Sequence, residues 1–415
     1  MNITISKFKI QWILFACLFL FCACEPDPDD PNDPGNGGNG GNTTEYGTGT
    51  ETDPFKVANV EDLRRVGSGK EGPGGVKWGL HNHYKQIADI DLKSEVNKKP
   101  ICNGLSGSYD GDGYTISNLT IVEENDNYTG LFKEVTGIIK NVRLIKVNIS
   151  GKFNVGGLTG RLQGNGKIDH CLISDFTISG ESEIGGLVGY IGNISFASVN
   201  TIRDCIVTNG TVLCSDYGCG GGIAGSNLGI IENCYATAYV RGTDAIGGVI
   251  GNNKGIVRYC YTTGNITAEG VNVFLEGIDA QFAGGIAGAN GSKTGIIQNC
   301  VALNKIVERI GTITPLPPQL GRVTGLCTDG GQILNNYARP DMTLLENFDV
   351  VPITEISPTS IHGANVATEE YQGANNATWW KNTAEFSESS WDFAAGRLPH
   401  LKGFNGLTQN PTVIP

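Results

Sequence analysis

Apolar and polar residues alternate along much of the chain in short segments that are separated by glycines. Residues 234–237, Cys-Tyr-Ala-Thr, are a typical segment. Alternation with a period of two, bounded by glycine, predicts short β-strands with one buried face. A short helix is predicted at 59–67, where Asn59 can act as the N-cap and Gly67 lies where a C-cap is expected.

Two sequence motifs recur in the same phase and organise the middle of the chain. The first is Gly-Gly-apolar-x-Gly, found at 156–160, 185–189, 221–225, 247–251 and 284–288, with a degenerate copy at 321–325. The second is an Ile or Val three residues before a cysteine, and its cysteines are Cys171, Cys205, Cys234, Cys260 and Cys300. Copies of the first motif start 26 to 37 residues apart, so each unit is too short to form a domain.

Repeats of this length, with short strands and glycine turns, predict a solenoid with about one coil per repeat. We therefore predict an all-β fold, a parallel β-helix with coils about 4.8 Å apart. The isoleucines and cysteines should form inward columns. The residues that follow the isoleucines alternate in charge and should pair between coils: Lys140, Asp169, Arg203, Glu232 and Arg258. The variable spacing predicts insertions at 271–282 and 304–320 that loop out.

The two ends of a β-helix expose unpaired strand edges, so covering segments are expected. The helix predicted at 59–67 is the candidate N-terminal cap. The C-terminal segment contains Trp379, Trp380 and Trp391 and is expected to form a cap or a side strap. We divide the chain into a signal peptide at 1–24, a tether at 25–54, the cap and first coils at 55–128, the repeat region at 129–340 and the C-terminal segment at 341–415.

Composition excludes several classes of protein. The net charge of −12 argues against nucleic-acid binding, which usually needs a basic face. An apolar fraction of 39% is too high for a disordered chain. Glycine accounts for 60 residues, and 35 of them lie within 151–330, so the glycine excess belongs mainly to the repeat.

The first 24 residues have the features of a secretory signal. Lys7 and Lys9 precede an apolar run at 10–21 that is too short to span a membrane, and Ala23 precedes Cys24. This arrangement resembles a bacterial lipobox, which implies that Cys24 is lipidated; an ordinary cleaved signal is the alternative. Residues 25–54 are acidic and rich in Pro, Gly and Asn, which is typical of an extended, flexible tether.

The tether also resembles the surface-export signal of lipoproteins from Bacteroides-like bacteria, although a solvated spacer is an equal alternative. The resemblance implies a protein that is anchored by lipid in the outer membrane and faces the cell exterior.

The cysteines outside the signal divide into two groups. The five repeat cysteines are predicted to be a buried ladder of thiols, because neighbours one strand spacing apart are too distant for a disulfide. Cys214 and Cys219 form the one candidate disulfide. No Cys-x-x-Cys pair occurs, so no zinc site of that type is expected.

Sequence signals for other chemistry are weak. His81 and His83 form His-x-His, which is interpreted as a loop without metal, and Asp110-x-Asp112-Gly lacks the later acids of a calcium loop. No metal site, cofactor or catalytic group is predicted.

The repeat resembles a known family. Units of the form Gly-Gly-Leu-Val-Gly followed by Ile-Ile-x-Asn-Cys-Tyr-Ala-Thr resemble the GLUG motif of bacterial surface proteins, and the resemblance covers 47–340. It implies a right-handed β-helix and an adhesin-like function. Similar units accompany immunoglobulin-cleaving metalloproteases, but this sequence has no His-Glu-x-x-His.

Two functions of different kinds follow. The first is a monomeric binding or adhesion protein that recognises a glycan or a host surface. Tyr235, Tyr261 and Tyr337 recur after the cysteine position and would stack on sugar rings if they faced outward; strand propensity is the alternative explanation. The second is a polysaccharide lyase or glycoside hydrolase on the same scaffold, which would need acidic and basic residues gathered on one flank.

Overall fold

The computed structural model describes residues 45–94, 99–192, 199–215, 218–270, 281–311 and 319–415, which lie in one compact unit, Thr43–Pro415. Cys24, the signal peptide and most of the predicted tether lie outside the described residues. The same holds for 271–280 and 312–318 of the two predicted insertions.

From Ile138 to Thr328 each coil of the described chain passes through four sheets in turn, and the described coils before Ile138 lack a strand in sheet 3. The strands of these sheets pair in parallel, except for Asp349–Val350, which confirms the predicted parallel β-helix. Within the described residues, sheet 1 contains Phe55–Val57, His83–Gln86, Ser108–Asp110, Ile138–Lys140, Lys167–Asp169, Thr201–Arg203, Ile230–Glu232, Ile256–Arg258, Ile296–Gln298 and Gln332–Leu334. Sheet 2 contains Ile90–Asp91, Thr115–Ser117, Thr120–Glu123, Arg143–Gly151, Leu172–Gly180, Ile206–Cys214, Tyr235–Ala236, Tyr239–Gly242, Tyr261–Thr262, Ile266–Glu269, Val301–Ala302, Ile306–Ile310, Tyr337–Ala338, Thr343–Glu346, Asp349–Val350 and Ala364–Asn365. Sheet 3 contains Phe153–Gly156, Ser182–Gly185, Gly220–Gly221, Ala245–Gly247, Phe282–Gly284 and Leu320–Gly321. Sheet 4 contains Cys102–Leu105, Phe132–Val135, Thr159–Leu162, Val188–Ile191, Ala224–Asn227, Ile250–Asn253, Ala287–Gly291 and Thr324–Thr328.

One part of the second predicted insertion is regular structure. Ile306–Ile310 is a strand of sheet 2 that pairs with Ile266–Glu269 and Thr343–Glu346. The expectation that all of 304–320 loops out was therefore wrong. The strand escaped prediction because the lengthened repeat spacing carries no information about where in the coil the extra residues lie.

The predicted columns are present in the strand register. Ile168, Ile202, Ile231 and Val257 are paired from coil to coil and are buried. The charged residues beside them also pair: Arg203 Nη2 lies 2.9 Å from Asp169 Oδ2, and Arg258 Nη2 lies 2.6 Å from Glu232 Oε2. The structure extends the alternation by two coils, through Lys85 and Asp110.

The corner after sheet 1 explains the residue that precedes each cysteine. His170, Asp204, Asn233 and Asn299 all have φ between 51° and 53°. Asn and Asp tolerate this left-handed region better than most residues. The slot is therefore a left-handed turn position that is usually Asn or Asp, and His170 and Tyr259 (φ 54°) adopt the same conformation.

The second glycine of each Gly-Gly motif is required by close contact between coils. A Cβ on Gly248 would lie 2.2 Å from the carbonyl oxygen of Gly285 in the next coil. In the degenerate last copy this position is Arg322, which is fully buried. Its guanidinium donates to the carbonyls of His362 and Gly363 and to Asn365 Oδ1, and burial lowers the pKa of Arg322 to about 10. Arg322 therefore occupies the last position of the column of second glycines, at the coil that residues 362–365 cover.

Sheet 4 contains a buried ladder of asparagines that the sequence motifs did not reveal. Asn227, Asn253 and Asn290 follow Leu162 and Ile191 in the same column. Asn227 Nδ2 donates to Asn253 Oδ1 at 2.9 Å, and Asn253 Nδ2 donates to Asn290 Oδ1 at 2.8 Å. The three side chains are fully buried, so hydrogen bonds replace apolar packing in this part of the core.

The predicted N-terminal cap helix, α1, spans Val60–Arg65, and Asn59 caps it by accepting from the Asp62 amide. It packs Leu63 into the main core, close to a stack of Trp78 on Phe55 with ring centres 4.8 Å apart. A 3₁₀ turn at Pro73–Gly75 follows.

The C-terminal segment contains α2, Thr368–Gln372, α3, Asn376–Asn382, and an antiparallel pair, Trp391–Asp392 and His400–Leu401. It lies along the flank of the coils and forms the side strap of the prediction. Corner residues of successive coils bond to it. Asn335 donates to the Thr383 carbonyl, Asn233 to Ser390 Oγ and Arg143 to the Asn405 carbonyl. We call residues 376–415 the strap.

Candidate functional site

The three tyrosines proposed as sugar platforms lie beneath the strap. Tyr235 and Tyr261 stack with ring centres 5.0 Å apart, and Trp391 packs against both. Tyr261 donates to the Pro399 carbonyl at 2.7 Å, and Tyr337 packs edge-on against Trp379. Their exposure is 9% or less, so the expectation that they face a ligand was wrong. Their outward face is the surface on which the strap docks.

The five repeat cysteines form a column of fully buried thiols. Each Sγ donates to the carbonyl oxygen two residues earlier, as in Cys234 to Glu232 at 3.2 Å and Cys205 to Arg203 at 3.1 Å. Burial raises the pKa of the Cys234 thiol well above its usual value. None of the five side chains is exposed to solvent, and buried structural cysteines are inert, so the column is part of the core and not a reactive site.

Cys214 and Cys219 are both thiols in the structure, and the candidate disulfide between them is not formed. Cys214 Sγ lies 3.2 Å from the Glu181 carbonyl, while Cys219 Sγ lies 3.7 Å from Asp244 Oδ2. The two sulfurs thus have different partners, which corrects the predicted pairing.

The two weak motifs near the N-terminus make contacts between coils. His81 Nδ1 lies 2.7 Å from Ser106 Oγ, and His83 Nδ1 lies 2.9 Å from Ser108 Oγ. Asp110 Oδ1 accepts from the Asp112 amide at 2.9 Å, as in an Asx turn. The described contacts of these residues are those of turns and strand neighbours.

A groove of about 620 Å³ runs along the corner where sheet 2 meets sheet 3. This size falls in the range of ligand-binding clefts. Its floor comes from the ends of long strands of sheet 2, where Gly151, Gly180 and Gly242 leave the backbone uncovered. The lining side chains include carboxylates, hydroxyls and one guanidinium, and they are Glu124, Ser150, Ser179, Glu181, Leu213, Cys214, Ser215, Arg241, Thr243 and Glu269.

The strand register orders the polar groups of this groove. Ser150 pairs with Ser179 in the next coil, so their hydroxyls repeat at about one strand spacing, roughly 4.8 Å. Arg241 follows two coils later and forms an ion pair with Glu269, Nη2 to Oε2, at 2.6 Å. Half of the Arg241 side chain is exposed, so the guanidinium keeps donors for a ligand. In this column Leu213 lies between Ser179 and Arg241, so the groove offers hydroxyl, guanidinium and carboxylate groups with one apolar side chain between them.

Sequence analysis missed this groove, although one signal was present. The tripeptide Ile-Ser-Gly recurs at 149–151 and 178–180, at the same position of consecutive coils. Arg241 and the acids give no such signal, because only the coil register brings them to one flank.

Comparisons with known proteins support the fold. No family model matches this chain, so the GLUG resemblance stays a prediction. An alignment of 134 positions, which covers 28% of this chain, is 30% identical to Halomucin of Haloquadratum walsbyi, but it covers only 1% of that protein.

A crystal structure described as that of a "putative immunoglobulin A1 protease" from Bacteroides ovatus has the same overall architecture. The alignment has a TM-score of 0.53 and 19% identity, and it covers 86% of this chain and 94% of the other. At this level of identity the similarity concerns the fold alone. Among the described residues, no helix is long and apolar enough to cross a membrane.

Proposed function

We propose that this chain is a surface-displayed binding protein that holds an extended glycan in the groove between sheets 2 and 3. The observation that carries the proposal is that two serine hydroxyls at strand spacing, Ser150 and Ser179, share one open groove with Arg241 and Glu269. A carbohydrate chain presents hydroxyl groups at comparable intervals, and each can bond to a serine hydroxyl or a charged side chain. The proposal includes a lipid anchor at Cys24 and a tether at 25–54, which would place the β-helix outside the cell.

Arg241 is the residue that best tests this function. A hydrogen bond to a charged group contributes about 1.5–3 kcal/mol, which corresponds to roughly a tenfold to hundredfold change in affinity. We expect Arg241→Gln to weaken glycan binding by at least that tenfold factor. The matched control is Arg258→Gln, because Arg258 also forms a 2.6 Å ion pair with a glutamate of an adjacent coil but lies in sheet 1.

The experiment is a glycan array followed by calorimetry with the strongest ligand. Loss of affinity in the Arg241 variant with full affinity in the Arg258 variant would support the groove. Equal affinity of both variants and the parent chain, or no glycan bound by the parent chain, would contradict the proposal.

A second candidate is hydrolysis or lyase cleavage of the same ligand, because Glu181 and Glu269 border the groove together with Arg241. The same glycans, assayed for new reducing ends and for unsaturated products, separate binding from turnover. Turnover that disappears in Glu181→Gln or Glu269→Gln would favour the enzyme, and binding without product would favour the binding protein.

A further inference from the structure

Three potential metal ligands meet at the corner between sheets 1 and 2. Asp169 is the last residue of the sheet 1 strand Lys167–Asp169, and His170 follows it. In the next coil, Asp204 follows Arg203, which is the last residue of the paired strand Thr201–Arg203. Because Asp169 pairs with Arg203, the side chains of His170 and Asp204 occupy the same corner slot in adjacent coils. One ligand atom from each of the three residues lies within 4.8 Å of the others.

The outer carboxylate oxygens of this cluster face Arg203. Arg203 Nη2 lies 2.9 Å from Asp169 Oδ2, and its Nε lies 3.4 Å from Asp204 Oδ2. On the inner side, His170 Nδ1 lies 2.7 Å from Asp169 Oδ1. Arg203 thus holds Oδ2 of both carboxylates and leaves Oδ1 of Asp169 and Oδ1 of Asp204 on the side away from the guanidinium.

The burial and contacts of the Asp204 side chain are a separate observation that points to a bound ion at this cluster. Its side chain is only 8% exposed, and Oδ1 is buried without a hydrogen-bond partner among the described residues. A side-chain hydrogen bond from the Ser390 hydroxyl of the strap also reaches this carboxylate. A buried carboxylate oxygen without a partner destabilises the folded chain, because it loses its hydration without gaining a hydrogen bond. A cation at this point would remove that cost.

We propose that Asp169, His170 and Asp204 form a binding site for a first-row divalent cation of the zinc type. One imidazole nitrogen with two carboxylates is a donor set that suits such ions, whereas calcium prefers oxygen ligands alone. Bonds of about 2.0–2.2 Å to one ion place the ligand atoms about 3.3–3.6 Å apart. The ligand atoms, which now lie within 4.8 Å of one another, would therefore have to draw together around the ion, while His170 Nδ1 and Asp169 Oδ1, now 2.7 Å apart, would exchange their hydrogen bond for bonds to the metal. The Arg203 contacts would orient the carboxylates, as outer-shell partners do in metal sites.

The position of the site gives it a structural consequence. His170 also borders a cleft of about 280 Å³ together with Arg143, Phe404 and Asn405, and its ring lies 6.1 Å from that of Phe404. A bound cation would join two coils directly beneath the strap. Metal binding should therefore raise the thermal stability of the folded chain.

The test uses calorimetric titration of the tag-free chain with zinc chloride after removal of metal by EDTA. We expect one zinc ion per chain and a higher melting temperature with zinc. The variants are His170→Asn and Asp204→Asn. Asparagine fills this corner slot naturally at 141, 233, 299 and 335 with φ of 51° to 55°, so both variants should keep the backbone conformation. His81→Asn is the matched control.

Each variant should weaken zinc binding at least tenfold and abolish the rise in melting temperature, while the control behaves as the parent chain. Cobalt substitution checks the ligand type, because a thiolate charge-transfer band would place the metal at cysteines instead. That band, absence of zinc binding by the parent chain, or equal binding by the variants would overturn the proposal. Circular dichroism verifies that the variants are folded. Arg241→Gln should bind zinc normally, so failure of the glycan proposal and failure of the metal proposal are distinguishable.

Discussion

The buried asparagine ladder tests how adjacent coils are held together. In sheet 4, Leu162 and Ile191 precede Asn227 and Asn253 in one column, so the column accepts an aliphatic side chain in two coils. Asn253→Leu therefore removes the polar contacts while keeping a side chain whose shape the column tolerates elsewhere. Asn227→Leu and the double variant complete a thermodynamic cycle.

The size of the effect follows from the contacts of Asn253. Its Oδ1 accepts from Asn227 Nδ2 at 2.9 Å and from the Gly255 amide at 3.2 Å. Its Nδ2 has three acceptors for its two hydrogens: Asn290 Oδ1 at 2.8 Å, the Gly255 carbonyl at 3.1 Å and the Ile296 carbonyl at 3.2 Å. Loss of four hydrogen bonds at about 1 kcal/mol each destabilises the variant by about 4 kcal/mol. The buried leucine side chain stabilises it by about 1.5–3 kcal/mol. Partners left without bonds add to the loss, so we expect a net decrease of about 2–4 kcal/mol in the free energy of unfolding.

The assay is urea unfolding followed by circular dichroism, with hydrogen exchange at the Gly229 and Gly255 amides to locate the change. Exchange is needed because stacked repeats can open coil by coil. The double variant should lose about 1 kcal/mol less than the sum of the single variants, because both singles break the same Asn227–Asn253 bond. Additive losses, or an Asn253→Leu chain as stable as the parent, would refute the argument that the ladder links the coils.

Three further predictions concern other columns. Glu232→Arg places like charges beside Arg203 and Arg258 and should cost about 1 kcal/mol, less at high salt, in thermal melts; an unchanged melting temperature at low salt would contradict charge pairing. Deletion of 376–415 exposes Tyr235, Tyr261 and Tyr337, so the shortened chain should aggregate, which light scattering would detect. A soluble monomer would show that the strap is dispensable. Burial raises the pKa of Asp244 to about 6, so the folded chain retains a proton that the unfolded chain releases near pH 4, and stability is lost as pH rises from about 4 to 6. Asp244→Asn should therefore raise the melting temperature more at pH 7 than at pH 4, and equal shifts at both would contradict the burial argument.

The coil architecture was predictable because it is written locally in every repeat. An isoleucine three residues before a cysteine fixes an inward column, and the short polar residue between them marks the left-handed corner at His170 or Asn233. The charge column was also predictable, since the register that pairs Asp169 with Arg203 follows from the repeat itself.

The surroundings of those columns were not predictable in the same way. Tyr235 and Tyr261 would have the same strand positions whether solvent or the strap covered them, and only contacts across more than a hundred residues decide which. The groove depends on register between coils of unequal length, and the unpaired Oδ1 of Asp204 depends on the packing of neighbouring side chains. Sequence periodicity contains none of these distances.

The strap changes how such a solenoid should fold. In a simple repeat array each coil contacts only its neighbours, so the ends can open independently. Here Arg143 bonds to Asn405, a separation of 262 residues, and Arg339 bonds to the Ile414 carbonyl near the other end of the repeat region. Such non-local contacts slow folding, because the loop-closure entropy is lost before the contacts form. The strap is synthesised after the coils that it covers and can dock only onto coils that already exist, so its closure should be a late step that makes the coils unfold as one cooperative unit.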